Sequence, residues 1–475
     1  MQKFRILKNL SSLAFGHFLV FTAFDSLSNL QSTLNEHGGV GVASQSVIYA
    51  FFTISSFFLP TYLIKRFGCK KTLLISVFSV CPYIAANFYP TWSTLVPSAV
   101  LSGLAFGPLW AARSTYVNQL SFQYSGYTTA SISVVNAWFF GIYSFFHENA
   151  EIWGNVISYY VLKENSSNGT ETAVPDETLM QCGVNFCGKS SDTINPNLRP
   201  PSDEKLYTLT GIYLVFVVLA GFVILFVMDS LDDDSQERDN KVEKKKTKLS
   251  ANLLIATLKH MKNKDQLLLI PLSFYCGLAD GFYNSDFTKS YIACAWGISQ
   301  VGHVTICYGV VSAIMDCSVG FLVKCITRIP VFILAASSHL MLFIVLLLWR
   351  PHSDNYSLYF VLSGIYGIGA SVWWSQIIAF YGVIFKENEE PAFSNFYFWS
   401  SLGFSVAYAY SDSLCTSVNI YILIGLLFLA IAAYIGAEFR NSCSKKTKNK
   451  NPNNQVKEHC VGIKDNEISL LTSSS

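Results

Sequence analysis

The sequence predicts an all-α membrane protein with twelve transmembrane helices arranged as two six-helix bundles. Three observations carry that expectation. Only 13% of the 475 residues are charged, against 51% hydrophobic and 15% aromatic, and the mean hydropathy is +0.36. Soluble domains carry about 25% charged residues. Twelve apolar stretches have the length a helix needs to cross about 30 Å of hydrocarbon. One long charged run, residues 229–266, divides them six and six.

In order, the expected spans are 9–29, 42–64, 72–89, 93–112, 134–160 and 207–227, then 267–290, 300–322, 330–349, 358–382, 393–411 and 418–437. Helices are the only plausible form, because each backbone group must find its partner within the segment. The domain reading follows: an N-terminal bundle (1–228) with a long loop at 162–206, a cytosolic linker (229–266), a C-terminal bundle (267–437), and a disordered cytosolic tail (438–475). Within the linker, Ser250 caps an expected interfacial helix with Leu253, Leu254, Leu258 and Met261 on one side.

Lys and Arg set the orientation. Lys3, Arg5 and Lys8, then Lys65, Arg66, Lys70 and Lys71, then Arg113, fall on one side with the linker and the tail, which places both termini in the cytosol. Asn165, Asn168 and Asn355 each open an N-x-[ST] acceptor sequence, and all three fall on the opposite side, where glycosylation occurs. Cys182, Cys187, Cys294 and Cys415 lie in or near that same oxidising side and permit three pairings. Cys182 with Cys187 is the expected pair, because both sit in one loop.

No phosphate-binding, zinc-protease or nucleophile-elbow motif is present, and the 12 cysteines lack metal spacing. Neither enzyme activity, a cofactor, a metal nor a nucleic-acid partner is expected. The informative residues are ionisable groups inside apolar spans, each costly to insert and therefore a candidate site. The fifth span holds His147, Glu148 and Glu151, followed by Asn155. The seventh holds Asp280, Asp286 and Lys289. Asp25 lies in the first span and Asp316 in the eighth. Helical spacing allows a His147–Glu151 pair and an Asp286–Lys289 pair. The tenth span places Trp373 and Trp374 near Gln376, either as a ligand wall or as packing between helices.

The turn Thr61-Tyr62-Leu63-Ile64-Lys65-Arg66-Phe67-Gly68-Cys69-Lys70-Lys71 resembles the signature of the major facilitator superfamily, G-x-x-x-D-R-x-G-R-[RK]. Thr61 replaces its first glycine and Lys65 its aspartate. The stretch from Gly320 through Lys324 to Thr327 and Arg328 is a fainter second copy, which supports a duplicated six-helix unit. In that fold the first, fourth, seventh and tenth spans line the central cavity, so Asp25 and Asp280 are expected across it from each other.

A second set of motifs is more specific. Leu30-Gln31-Ser32, Pro108-Leu109-Trp110 with Thr115-Tyr116, Trp153-Gly154-Asn155, and the block Ala392-Phe393, Asn395, Trp399, Leu402-Gly403-Phe404 resemble the unc-93 family, from the first span to the eleventh. The resemblance implies a cell-membrane protein that regulates ion conductance through a partner, a potassium channel or another membrane protein. A proton- or cation-coupled transporter built on Asp25, Glu148, Glu151 or Asp280 is the competing reading, and a trafficking chaperone the third.

Overall fold

The computed structural model describes residues 2–35, 37–129, 132–163, 179–187, 195–231, 258–352, 354, 356–385 and 389–450. Asn165, Asn168 and Asn355, and most of the linker helix expected from Ser250, lie outside them. Among the described residues twelve helical spans are present. The first six are Gln2–Leu34, the two halves of Val40–Ala86, Trp92–Ser125, Ile132–Leu162 and Asp203–Phe222. The second six are Lys264–Phe282 with its π-helical continuation Tyr283–Ala293, Ile298–Ile326, Arg328–Leu348, Tyr356–Ile384, Glu389–Ser411 and Thr416–Lys450. Among the described residues nine helices are long and apolar enough to cross a membrane. The fifth, seventh and eleventh fall outside that set, and the first two of these carry candidate residues. With an even number of spans the start of the first and the end of the twelfth share one face, the terminal face; the other is the distal face.

Local chemistry explains where the helices start. Thr91 and Thr94 form a capping box at the fourth span, and Asn263 accepts a hydrogen bond from the Asp265 amide at the seventh. Asp203 and Glu204 occupy the first turn of the sixth, where the helix dipole favours negative charge. The twelfth helix continues beyond the expected end at 437 to Lys450, so residues 438–450 are helical rather than tail.

The basic turn has the conformation its glycine allows. Gly68 interrupts the Val40–Ala86 helix at φ 77°, ψ 167°, a region nearly reserved for glycine. The faint second copy repeats it. Thr327, which stands where Gly68 stands when the two motifs are superposed, has φ 68°, ψ 177°. It is the only non-glycine at positive φ among the described residues. The same hinge thus occurs in both halves, relaxed in one and strained in the other. Thr327→Gly should therefore stabilise the protein by about 1 kcal/mol and Gly68→Ala destabilise it by about 1–3 kcal/mol. Thermal unfolding in detergent, read as opposite shifts of Tm, checks both.

The halves meet along three seams. The fifth span packs on the eighth, the second on the eleventh, and the first on the π-helical stretch of the seventh. At the second–eleventh seam, Ser46 Oγ donates to the Ser405 carbonyl at 2.9 Å and Thr53 pairs with Ser401 at 2.6 Å. Apolar attraction is absent between helices in lipid, so close backbone approach and interhelical hydrogen bonds do the holding.

On the distal face the expected Cys182–Cys187 bridge is not formed. Cys182 is bonded to Cys294, and Cys187 to Cys415. Main-chain pairing explains the choice: Cys187 and Cys415 form an isolated antiparallel bridge, and the Thr416 amide donates to the Phe186 carbonyl at 2.9 Å. Asn195 and Asn197 both donate to the Cys294 carbonyl, at 2.9 and 3.1 Å, so the strap lies on the seventh span. The loop of the first bundle is therefore sewn to the second.

Candidate functional site

Between the halves, carboxyl groups from four helices converge. The fifth span can carry two of them close to both neighbours because of small residues. A Cβ on Gly154 would lie 2.4 Å from the Thr22 carbonyl of the first span, and one on Gly302 would lie 2.3 Å from Ser158 Oγ across the eighth–fifth seam. Glu151 Oε1 accepts from Asn29 Nδ2 at 2.7 Å and from Asn155 Nδ2 at 2.8 Å. Glu148, one turn earlier, shares a hydrogen bond with Asp316, which also accepts from Ser371. Asp280 accepts from Tyr366 Oη at 2.8 Å and from Trp374 Nε1.

Asp25 makes no side-chain hydrogen bond among the described residues and lies within electrostatic reach of Glu148 and Glu151. Asp25 and Asp280 both lie within electrostatic reach of the Tyr49 and Tyr408 hydroxyls. An ionised carboxylate removed from water costs several kcal/mol unless hydrogen-bonded or neutralised. The asparagine, tyrosine, tryptophan and serine donors meet part of that cost. Among the described residues no three His, Cys, Asp or Glu are arranged to hold a metal ion.

Two expected pairs are replaced. Glu151 bonds to the two asparagines rather than to His147, whose Nδ1 is buried without a hydrogen-bond partner. Asp286 accepts from Asn419 and Ser285, each at 3.0 Å, while Lys289 Nζ reaches Asp412 Oδ1 at 3.1 Å. The cause is the π-helical stretch: its i→i+5 bonding widens the turn, so residues three apart no longer stack as on an α-helix. Lys289 is buried, lies 5.6 Å from the Phe186 ring centroid in the strap, and closes the distal face with Asp412. Trp373 packs in the helix interior and donates to His339 Nδ1 at 3.3 Å, whereas Trp374 belongs to the carboxyl site. Gln376 is buried, with a long 3.5 Å contact to Ser375, and does not join the carboxyls.

The terminal face is held by ion pairs. Asp229, after the sixth span, accepts from Arg5 Nε at 2.8 Å and Lys8 Nζ at 2.9 Å. Burial alone would raise its pKa; the two hydrogen-bonded cations outweigh that and hold it at about 2. Asp229 is thus ionised throughout the working pH range, and its contribution fades only as pH falls from about 4 toward 2. Arg440 pairs with Asp265 at 2.8 Å, and Arg328 with Glu438 at 3.8 Å.

Arg113 was expected at the edge of an inner loop. Instead its helix runs on to Ser125 and the side chain is buried against rings of the fifth span. The apolar run ends at Ala112, which hid the continuation.

A family model described as ion channel regulatory protein UNC-93 matches residues 32–435. The chain belongs to the UNC-93 family. It is 38% identical to protein unc-93 homolog A of Homo sapiens over 436 residues, 90% of this chain and 93% of that one. It is 29% identical over 445 residues to the Caenorhabditis elegans protein named putative potassium channel regulatory protein unc-93, covering 92% of this chain and 61% of that one. In three dimensions this UNC-93 family chain is similar to nucleoside transporter NupG, with a TM-score of 0.60 at 14% identity over 91% of this chain and 99% of that one. It is also similar to the xylose transporter XylE from E. coli, with a TM-score of 0.59 at 12% identity over 90% and 98%. Those likenesses show the major-facilitator fold.

Proposed function

We propose that this multi-pass membrane protein regulates ion conductance in the cell membrane through a membrane-protein partner, with a potassium channel as the partner class. The observation that carries the reading is family membership across nearly the whole chain, together with the name borne by the C. elegans relative. Two features of the chain support regulation over transport. The strap of the first bundle is covalently tied to the second by Cys182–Cys294 and Cys187–Cys415, beside the buried Lys289–Asp412 pair, and rocking of the halves would have to carry those ties. Lys65 stands where the superfamily signature has its aspartate.

Disulfides belong to oxidising compartments, which supports an extracellular distal face and cytosolic termini, with Asn165, Asn168 and Asn355 as glycosylation acceptors on the outside. The domain boundaries at 228 and 266 accompany this orientation.

One observation favours a second reading. The carboxyls of Asp25, Glu148, Glu151, Asp280 and Asp316 gather between the halves, as a proton- or cation-coupled transporter requires. Voltage clamp separates the readings. Cells expressing this protein alone, and then with a potassium channel, are recorded across a pH series. The expected result is a current altered only when the channel is present, at unchanged channel surface abundance. A pH-dependent current from the protein alone, abolished by Glu148→Gln, would overturn regulation in favour of transport. A change in channel surface abundance that accounts for the current would make it a chaperone.

A further inference from the structure

The surroundings of Arg113 do not belong to the carboxyl site. The side chain is 9% exposed, and its guanidinium carbon lies 4.3 Å from the Tyr143 ring centroid, 4.7 Å from Trp110 and 5.8 Å from Phe140. Its Nε is buried without a hydrogen-bond partner, and no ion pair to Arg113 occurs among the described residues. Three further polar atoms of the same cluster are buried and equally without partners among the described residues: Tyr143 Oη, His147 Nδ1 and His17 Nε2. They are contiguous. The His17 and Tyr143 rings are 5.4 Å apart, Tyr143 and His147 6.2 Å, and His147 and Trp110 5.5 Å.

Such a cluster is costly as it stands. Desolvating a cation costs more than the facing rings return, and the orphaned hydroxyl and imidazole nitrogens add to that cost. Water would satisfy the donors but leave the charge uncompensated. Nor does a neighbouring carboxylate serve: Asp25 and Glu148 act on Tyr143 from a distance, and Glu148 is bonded to Asp316.

We propose that Arg113, Tyr143 and His147 bind the oxyanion, carboxylate or phosphate, of an amphiphilic ligand between the first, fourth and fifth spans. Arg113 supplies charge and a planar fork, Tyr143 Oη and His147 Nδ1 donate, and Phe21, Phe140 and Trp110 give the apolar body a wall. His17 turns Nδ1 toward the Leu13 carbonyl at 3.3 Å, which leaves Nε2 as the acceptor of the set, suited to a proton on the ligand.

The oxyanion could come from a free metabolite or from a lipid headgroup, and the test distinguishes them. Full-length protein in detergent is melted with octyl phosphate or octanoate, with dioleoyl phosphatidate, and with dioleoyl phosphatidylcholine as control. The expected result is a saturable rise in Tm with an oxyanion probe, about ten- to a hundredfold weaker in apparent affinity for Arg113→Gln and partly restored in Arg113→Lys. A rise with the short-chain anions assigns a free ligand; a rise with phosphatidate alone assigns a lipid. If Arg113→Gln does not fold, Tyr143→Phe and His147→Phe carry the same titration, each with weakened affinity. No shift with any anion, or an unchanged response in all variants, overturns the site.

Discussion

Cys294→Ser will release Cys182, leave Cys187 bonded to Cys415, and cost about 2–4 kcal/mol of stability. The closed stretches are 112 residues for Cys182–Cys294 and 228 for Cys187–Cys415. Chain-entropy arguments put a 100-residue loop near 4.7 kcal/mol. In a bilayer the unfolded reference is already confined to inserted helices, so a value below that is expected. Thiol labelling of intact cells with an impermeant maleimide, followed by peptide mapping, reads the released partner directly. Label on Cys182 supports the cross-bundle pairing; label on neither thiol would mean that Cys182 and Cys187 are bonded to each other. The same variant bears on function. If the strap limits relative movement of the halves, loosening it should change the effect on a channel current while protein abundance at the surface is held equal.

The pairing shows where a sequence stops being informative. Cys182 and Cys187 are neighbours in the chain, and chain proximity is the only distance a sequence contains. Their true partners lie at the ends of the seventh span and the start of the twelfth, positions brought together only by closing the two bundles. Helix number and the hinge at Gly68 were legible, because they depend on local composition and on one residue's backbone freedom. The second hinge was visible as a basic copy, but nothing in it said that Thr327 takes the glycine conformation.

The carboxyls were legible as well, since a charge in an apolar span stands out. Their partners were not. Side chains advance about 100° per residue on an α-helix, so a small error in rotation exchanges neighbours, and the π-helical stretch at Tyr283–Ala293 shifts the register again. That shift gives Asp286 and Lys289 different hydrogen-bond partners. Arg113 was missed for a different reason: one arginine after an apolar run reads as a loop boundary. The signal against it was the stretch after it, Ser114 to Ser125, which holds no charged residue and continues the helix.

Gly277→Ala should be the most damaging single-methyl change in the second bundle. A Cβ there would lie 1.8 Å from the Ser400 carbonyl oxygen and 2.7 Å from its carbon, and on the facing helix a Cβ on Gly403 would lie 2.3 Å from the Phe274 carbonyl. Both obstacles are backbone, so no rotamer change relieves them; the seventh and eleventh spans must separate. Overpacking costs about 1–3 kcal/mol where side chains can yield, and about 3–5 kcal/mol is expected where they cannot. The matched control is Gly320→Ala. Nothing lies within 4 Å of its Cβ position, so alanine there should be neutral or stabilise the helix by up to about 1 kcal/mol. Tm in detergent and yield of folded protein measure both. If Gly277→Ala melts like Gly320→Ala, the two helices are not in backbone contact. In that case Trp374 would not be held beside Asp280 by the Phe396 and Phe404 rings it packs on, and the carboxyl site would lose one of its walls.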